Sequence, residues 1–137
     1  MILAFDVGNT ETVMGLFEDG DLLDHWRYST HPIRTVDELG LLIRSFVRES
    51  GFDLHPIHGA AIASVVPAAT GILADACERH LGARAVIVDA RSPLPIRLDV
   101  EEPLTVGADR IANTLAAARL YRTDTIAVDL GPATTFD

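Results

Sequence analysis

Hydrophobic and polar positions along the chain switch repeatedly between a period near two and a period near 3.6. Met1-Ile2-Leu3-Ala4-Phe5 is a short apolar run ending in Asp6-Val7-Gly8-Asn9-Thr10, which predicts a buried strand entering a tight turn. Thr12 to Phe17 is β-favouring and closes on Glu18-Asp19-Gly20-Asp21, where the Asp-Gly pair signals a hairpin. Leu22 to Tyr28 returns as a third strand, completing an antiparallel meander. Thr35 with Glu38 reads as a capping box. It opens a helix whose apolar stripe is Leu39, Leu42, Ile43, Phe46 and Val47, with Gly51 as terminator. Gly59 to Val66 is a continuously apolar strand stopped by Pro67, as expected where both faces are covered. A second amphipathic helix is marked by Ala69, Ile72, Leu73, Ala76, Cys77 and His80, with Gly82 past its end. Ala85 to Val88 is a strand and Arg91 to Pro103 a proline-punctuated loop. Ile111, Leu115 and Ala118 give a third helix, and Thr125 to Val128 one more buried strand. The alternation makes this an α/β protein.

The chain also repeats itself. Ile2 to Thr10 is echoed by Ile126 to Thr134: an apolar strand, then Asp-x-Gly, then small or hydroxylic residues. Two such turns facing each other would grip a phosphate chain with backbone N–H groups while their aspartates hold cations. Asp-x-Gly after a strand is also common turn chemistry, so spacing alone leaves both readings open. The second copy stops at Thr134-Thr135-Phe136-Asp137, where the first has a hairpin strand still to come. A terminal apolar strand without a partner leaves unpaired backbone groups, so the chain is expected to be an N-terminal portion of something longer.

Composition narrows the chemistry. With 137 residues, 48% of them hydrophobic and 23% charged, the chain can bury a core of about one domain. No apolar run approaches the roughly 18 residues of a membrane span, and Asp6 follows too early for a secretory signal. A net charge of −9 speaks against a nucleic-acid surface. The single cysteine, Cys77, permits neither an internal disulfide nor a cysteine zinc site, which fits a reducing cytoplasm. All 11 basic residues are arginine, which removes Schiff-base chemistry, a lysine base and a P-loop lysine together.

Four motifs occur in order: Asp6-Val7-Gly8-Asn9-Thr10, Ser64-Val65-Val66-Pro67, Gly107-Ala108-Asp109-Arg110, and Asp129-Leu130-Gly131-Pro132-Ala133-Thr134-Thr135-Phe136-Asp137. Together they resemble the type III pantothenate kinases of the acetate and sugar kinase, Hsp70 and actin superfamily, over about the first half of such an enzyme. The resemblance implies a ribonuclease-H-like (actin-like ATPase) domain with a mixed sheet over residues 1–122. Residues 123–137 would then be the first strand and turn of a second such domain. It implies ATP-dependent phosphorylation of the terminal hydroxyl of pantothenate, the first step toward coenzyme A, with Mg²⁺ accompanying ATP and K⁺ or NH₄⁺ required. Carried across, Asp6, Val7, Gly8, Asn9, Thr10, Glu11, Thr12 and Val13 would form the first ATP phosphate turn, with Asp6 near the Mg²⁺ and Pro132 in the second turn. Val100, Gly107, Ala108, Asp109 and Arg110 would bind pantothenate. Asp109 would be the general base, Arg110 would meet the carboxylate, and Asp129 would be the K⁺ ligand. A homodimer in the cytoplasm, without nucleic-acid or membrane partners, completes the expectation. The structural alternative for Asp109 is that it simply caps its helix.

Three positions depart from the family pattern. Pro132 replaces a threonine, deleting a hydroxyl and a backbone donor. Glu11 adds negative charge where a neutral residue is usual, and Val100 with Glu102-Pro103 stands where an aromatic and Asn-Pro are usual. These departures keep a second class in view, a non-catalytic regulatory or ligand-binding relative resembling a transcriptional accessory factor. A chain of this length is expected to be inactive alone. Cys77 on its apolar stripe reads as a buried structural thiol, and Trp26 as strand packing.

Overall fold

The computed structural model describes residues 1–131 and 134–137. It divides into two compact units, Met1–Ile87 and Val88–Asp137.

In the first unit, β1 (Ile2–Val7), β2 (Glu11–Glu18) and β3 (Asp21–Ser29) form the expected antiparallel meander. The β2–β3 turn rests on Asp19 and Gly20, both at positive φ (52° and 97°), where glycine carries no steric cost and Asp a small one. Next, α1 (Val36–Glu49) starts from the predicted capping box. The Glu38 amide donates to the Thr35 hydroxyl, and the Thr35 amide donates to the Glu38 carboxylate. Strand β4 (Gly59–Ser64) then runs parallel to β1. Pro67 does more than stop that strand, since it is the first residue of α2 (Pro67–Leu81), where its missing N–H costs nothing. Gly82 ends α2 in the left-handed conformation at φ 65°. Strand β5 (Arg84–Val88) closes the sheet, giving the order β3-β2-β1-β4-β5. This mixed sheet, antiparallel on one side of β1 and parallel on the other, is the ribonuclease-H-like arrangement expected of the chain.

Register determines which face is covered. Leu3, Phe5 and Val7 of β1 stand opposite Leu16, Met14 and Thr12 of β2 and Ala60, Ile62 and Ser64 of β4. That face carries the core, meeting Leu39, Ile43 and Val47 of α1 and Leu73, Ala76 and Cys77 of α2. Trp26 and Tyr28 extend it at the edge, both stacking on Phe46 of α1 with centroids 6.2 and 6.4 Å apart. Where α1 meets α2, the His80 ring bonds Asp37 at 3.0 Å and lies directly over Gly40.

In the second unit, a loop leads through a short 3₁₀ turn (Pro103–Thr105) to α3 (Ala108–Tyr121), followed by the ribbon β6 (Val128–Leu130) and β7 (Thr134–Phe136). Two sequence expectations are corrected here. The last apolar strand begins at Val128, not Thr125, and it is exposed, with Val128 at 51% and Leu130 at 80%. Its apolar run reads as buried only if something covers it, and the ribbon is two strands wide. Nor does it lack a partner, because β7 pairs with it antiparallel from Val128↔Phe136 to Leu130↔Thr134. Ala127 and Asp137 lengthen the ribbon, each amide donating to the other's carbonyl at 2.9 and 3.0 Å. No helix among the described residues is long and apolar enough to cross a membrane.

Two predictions follow from this packing. A Gly-to-Ala change inside a helix ordinarily gains about 1 kcal/mol. At Gly40 a Cβ would meet His80 Cδ2 at 2.2 Å and His80 Cβ at 2.9 Å, so ring rotation alone gives no relief. Gly40→Ala should therefore destabilise by about 1–3 kcal/mol in urea unfolding, and a gain would contradict this packing. Second, burial raises both Tyr28 and Cys77, from ordinary values near 10 and 9 to about 12. The folded state thus favours the protonated forms, a contribution complete below the unfolded values and lost as pH climbs from about 9 toward 12. The urea midpoint should fall over that range, and less steeply in Tyr28→Phe.

Candidate functional site

The first turn is held by its own backbone and by the end of β3. Val7 pairs with Thr12, so Gly8, Asn9, Thr10 and Glu11 make the connection. The Gly8 amide donates across it to the Glu11 carbonyl at 3.0 Å, and a Cβ on Gly8 would sit only 3.0 Å from that oxygen. A side chain would crowd a backbone atom there, so glycine suits the closeness of the turn. Asn9 and Thr10 are exposed at its tip. Asp6 lies opposite Val13 of β2 and Ala63 of β4, on the sheet face away from α1 and α2, with its side chain exposed. Glu11 is ion-paired with Arg27 at 3.5 Å, both well exposed. Such a pair is worth under about 1 kcal/mol, yet it offsets part of the charge that the departure at position 11 introduces.

Thr30 fastens the turn from outside. Its amide donates to the Thr10 carbonyl at 3.0 Å and its hydroxyl to the Gly8 carbonyl at 2.7 Å. The Thr12 and Thr30 hydroxyls are 2.9 Å apart, and because the Thr30 proton is directed to Gly8, Thr12 is the donor to Thr30. Thr12 and Thr30, 1% and 4% exposed, are the buried polar residues among those described. Tyr28 is covered by the Arg34 guanidinium at 5.4 Å from its ring centroid.

In the second unit, Gly107 is the extended N-cap of α3, Ala108 is buried, and Asp109 and Arg110 are half-buried in the first turn. Asp109 is therefore not the helix cap; its carboxylate accepts from the next amide, that of Arg110, at 2.8 Å. The Arg110 guanidinium is tied to the ribbon. Its Nε–H donates to Asp137 Oδ1 and its Nη2–H to the Phe136 carbonyl, the latter at 3.1 Å. A guanidinium carries five donors, so these bonds orient it without exhausting it. The Asp137 side chain is 4% exposed and its Oδ2 is buried with no hydrogen-bond partner among the described residues. Asp129 stands opposite Thr135 and Ala127 pairs with Asp137, so Asp129, Thr135 and Asp137 share one face of the ribbon. Val100 is exposed in the loop before the 3₁₀ turn, and Pro132 lies outside the described residues. The two hairpins of the internal repeat differ in length: four residues separate Val7 from Thr12, and three separate Leu130 from Thr134.

Thr30 and Asp137 stand at these places, and neither was singled out as a site residue in the sequence. Asp137 carried a signal, being the second acidic residue of the fourth motif, which Asp129 opens. Thr30 carried none, because its role depends on β3 pairing beside the turn.

Comparison with known proteins gives a consistent family. A family model described as type III pantothenate kinase matches residues 2–137. The type III pantothenate kinase of Moorella thermoacetica is 42% identical over 139 residues, covering 100% of this chain and 54% of that protein. Those of Geobacter sulfurreducens and Thermobifida fusca are 43% and 44% identical, with the same coverage. The chain spans about half the length of the curated relatives it matches. Among solved structures, an Aquifex aeolicus PPX-GPPA enzyme aligns at 10% identity with a TM-score of 0.46, over 98% of this chain and 46% of that one.

The tie between Arg110 and Asp137 makes a prediction of its own. Arg110→Met would leave the Asp137 carboxylate buried without its cation and should destabilise the second unit by about 1–3 kcal/mol. Amide hydrogen exchange at Ala127 and Asp137 should quicken accordingly, whereas unchanged protection would show that the pair contributes nothing.

Proposed function

The chain belongs to the type III pantothenate kinase family, and from that premise we propose that it forms the nucleotide- and substrate-binding first part of an enzyme that transfers the γ-phosphoryl group of ATP to the terminal hydroxyl of pantothenate. The observation that carries this reading is the start of α3, where a half-buried Asp109 and an oriented Arg110 sit side by side in the first helical turn.

In this reading Asp109 accepts the proton of the attacking hydroxyl, and Arg110 meets the pantothenate carboxylate in planar, bidentate fashion. Gly107 and Ala108 bring backbone amides and the positive end of the helix toward the same anion, and Val100 adds apolar contact. Asp6, Val7, Gly8, Asn9, Thr10, Glu11, Thr12 and Val13 hold the phosphates of ATP from one side, and Pro132 contacts them from the second turn. An exposed single carboxylate such as Asp6 suits Mg²⁺, which binds through one or two carboxylates together with substrate phosphates. The buried Oδ2 of Asp137, which has no hydrogen-bond partner among the described residues and lies on one ribbon face with Asp129, suits a monovalent cation, K⁺ or NH₄⁺. When bound, these cations offset the charge of the polyphosphate in a chain of net charge −9. Phosphoryl transfer asks mainly for positioning and charge neutralisation, which the fixed turn and the oriented arginine are suited to give. A homodimer in the cytoplasm belongs to the same proposal and rests on family membership.

The test is pantothenate-dependent ADP release by this chain completed with the C-terminal part of the Thermobifida fusca relative, with Mg²⁺ and with or without K⁺. K⁺-dependent turnover is expected, lowered roughly 100-fold or more by Asp109→Asn, with none from the 137-residue chain alone. A completed protein that binds Mg-ATP without phosphorylating pantothenate would make this chain part of a non-catalytic relative.

A further inference from the structure

We propose that Thr30 is a positioning residue for nucleotide binding, setting the shape of the Gly8–Glu11 turn through its hydroxyl bond to Gly8 and its amide bond to Thr10. The inference rests on the proposed role of that turn in holding ATP phosphates and adds to it a residue outside the turn.

A phosphate-binding turn works by presenting amide hydrogens in a fixed arc, and a short loop at a strand end has few ways to hold such a shape. Here the internal bond runs from the Gly8 amide to Glu11, and the Gly8 carbonyl has to be satisfied from elsewhere. Thr30, a residue only 4% exposed, supplies that donor at 2.7 Å, which makes the bond costly to replace with water. The hydroxyl is itself held by Thr12 at 2.9 Å, and the Thr30 backbone is held to Thr10 at 3.0 Å. With Thr30 anchored in these two ways, rotation of the Gly8–Asn9 peptide would break a partly buried hydrogen bond. Thr30 touches the turn's carbonyls, not its amides, so it leaves the phosphate-facing groups available while fixing where they point.

The chain completed with the C-terminal part of the Thermobifida fusca relative, isotope-labelled, titrated with Mg-ATP and followed by amide NMR, tests this. Thr30→Val should weaken binding roughly tenfold and speed hydrogen exchange at the Gly8 amide by a similar factor. Thr30→Ser restores the hydroxyl and should recover both. Ile43→Val, which loosens the core on α1, should lower the melting temperature while leaving both readouts unchanged. Wild-type binding that is equally strong in Thr30→Val, with unchanged exchange at Gly8, would overturn the role of Thr30 alone and leave the nucleotide reading standing. Turn resonances that do not move with Mg-ATP in the completed wild-type protein would overturn both.

Discussion

The period-two alternation of β1 is the constraint on which the rest of the first unit depends. Leu3, Phe5 and Val7 are taken up by the helix-covered face, so Ile2, Ala4 and Asp6 must point the other way. A carboxylate among Leu39, Ile43 and Leu73 would have to be desolvated without a partner, at a cost of several kcal/mol. The same hydrophobic pattern that builds the core therefore delivers an acidic side chain to the open face, two residues before the turn. Because β1 lies between β2 and β4, that position is braced from both sides by Val13 and Ala63.

Much of this was legible in the sequence where the signal is local. Asp19-Gly20 had to turn, Thr35 and Glu38 could satisfy each other's amides, and Gly82 could adopt the left-handed backbone that ends α2. The less legible features depend on what lies across from a residue. The run Thr125–Val128 reads as buried by composition, yet burial is a property of neighbours, and β6 has one strand beside it. Asp109 has the residue type of a cap, but Gly107 takes that place with an extended backbone, leaving Asp109 within the first turn. Arg110 reads from its motif as a residue for a bound carboxylate, and it already holds one from its own chain.

That internal carboxylate changes how the second unit should be pictured. Asp137 lies 27 residues beyond Arg110, and the ion pair joins the first turn of α3 to the far strand of the ribbon. The residues proposed to meet pantothenate and the strand that follows the second phosphate turn are thereby parts of one mechanical piece. Disturbance at β7 would be passed to the start of α3 through a charge pair whose carboxylate side is buried and has little tolerance for displacement.

The β-bulge in the β2–β3 hairpin has a consequence for how this fold tolerates changes in length. Between Leu16 and Phe17 the pairing partner jumps from Asp24 to Leu22, so Leu23 is an extra residue on β3. Beyond it the ladder is regular through Thr12↔Tyr28, and this parity is what turns Thr30 toward the helix-covered side with Tyr28. The bulge acts as a vernier near the hairpin tip. One residue lost or gained there can be absorbed by removing or enlarging it, but one lost between Trp26 and Thr30 would send the threonine hydroxyl to the opposite face. Sequence drift should accordingly be permissive at the tip and strict over the last few residues of β3, although those residues lie in a strand and carry no chemistry of their own.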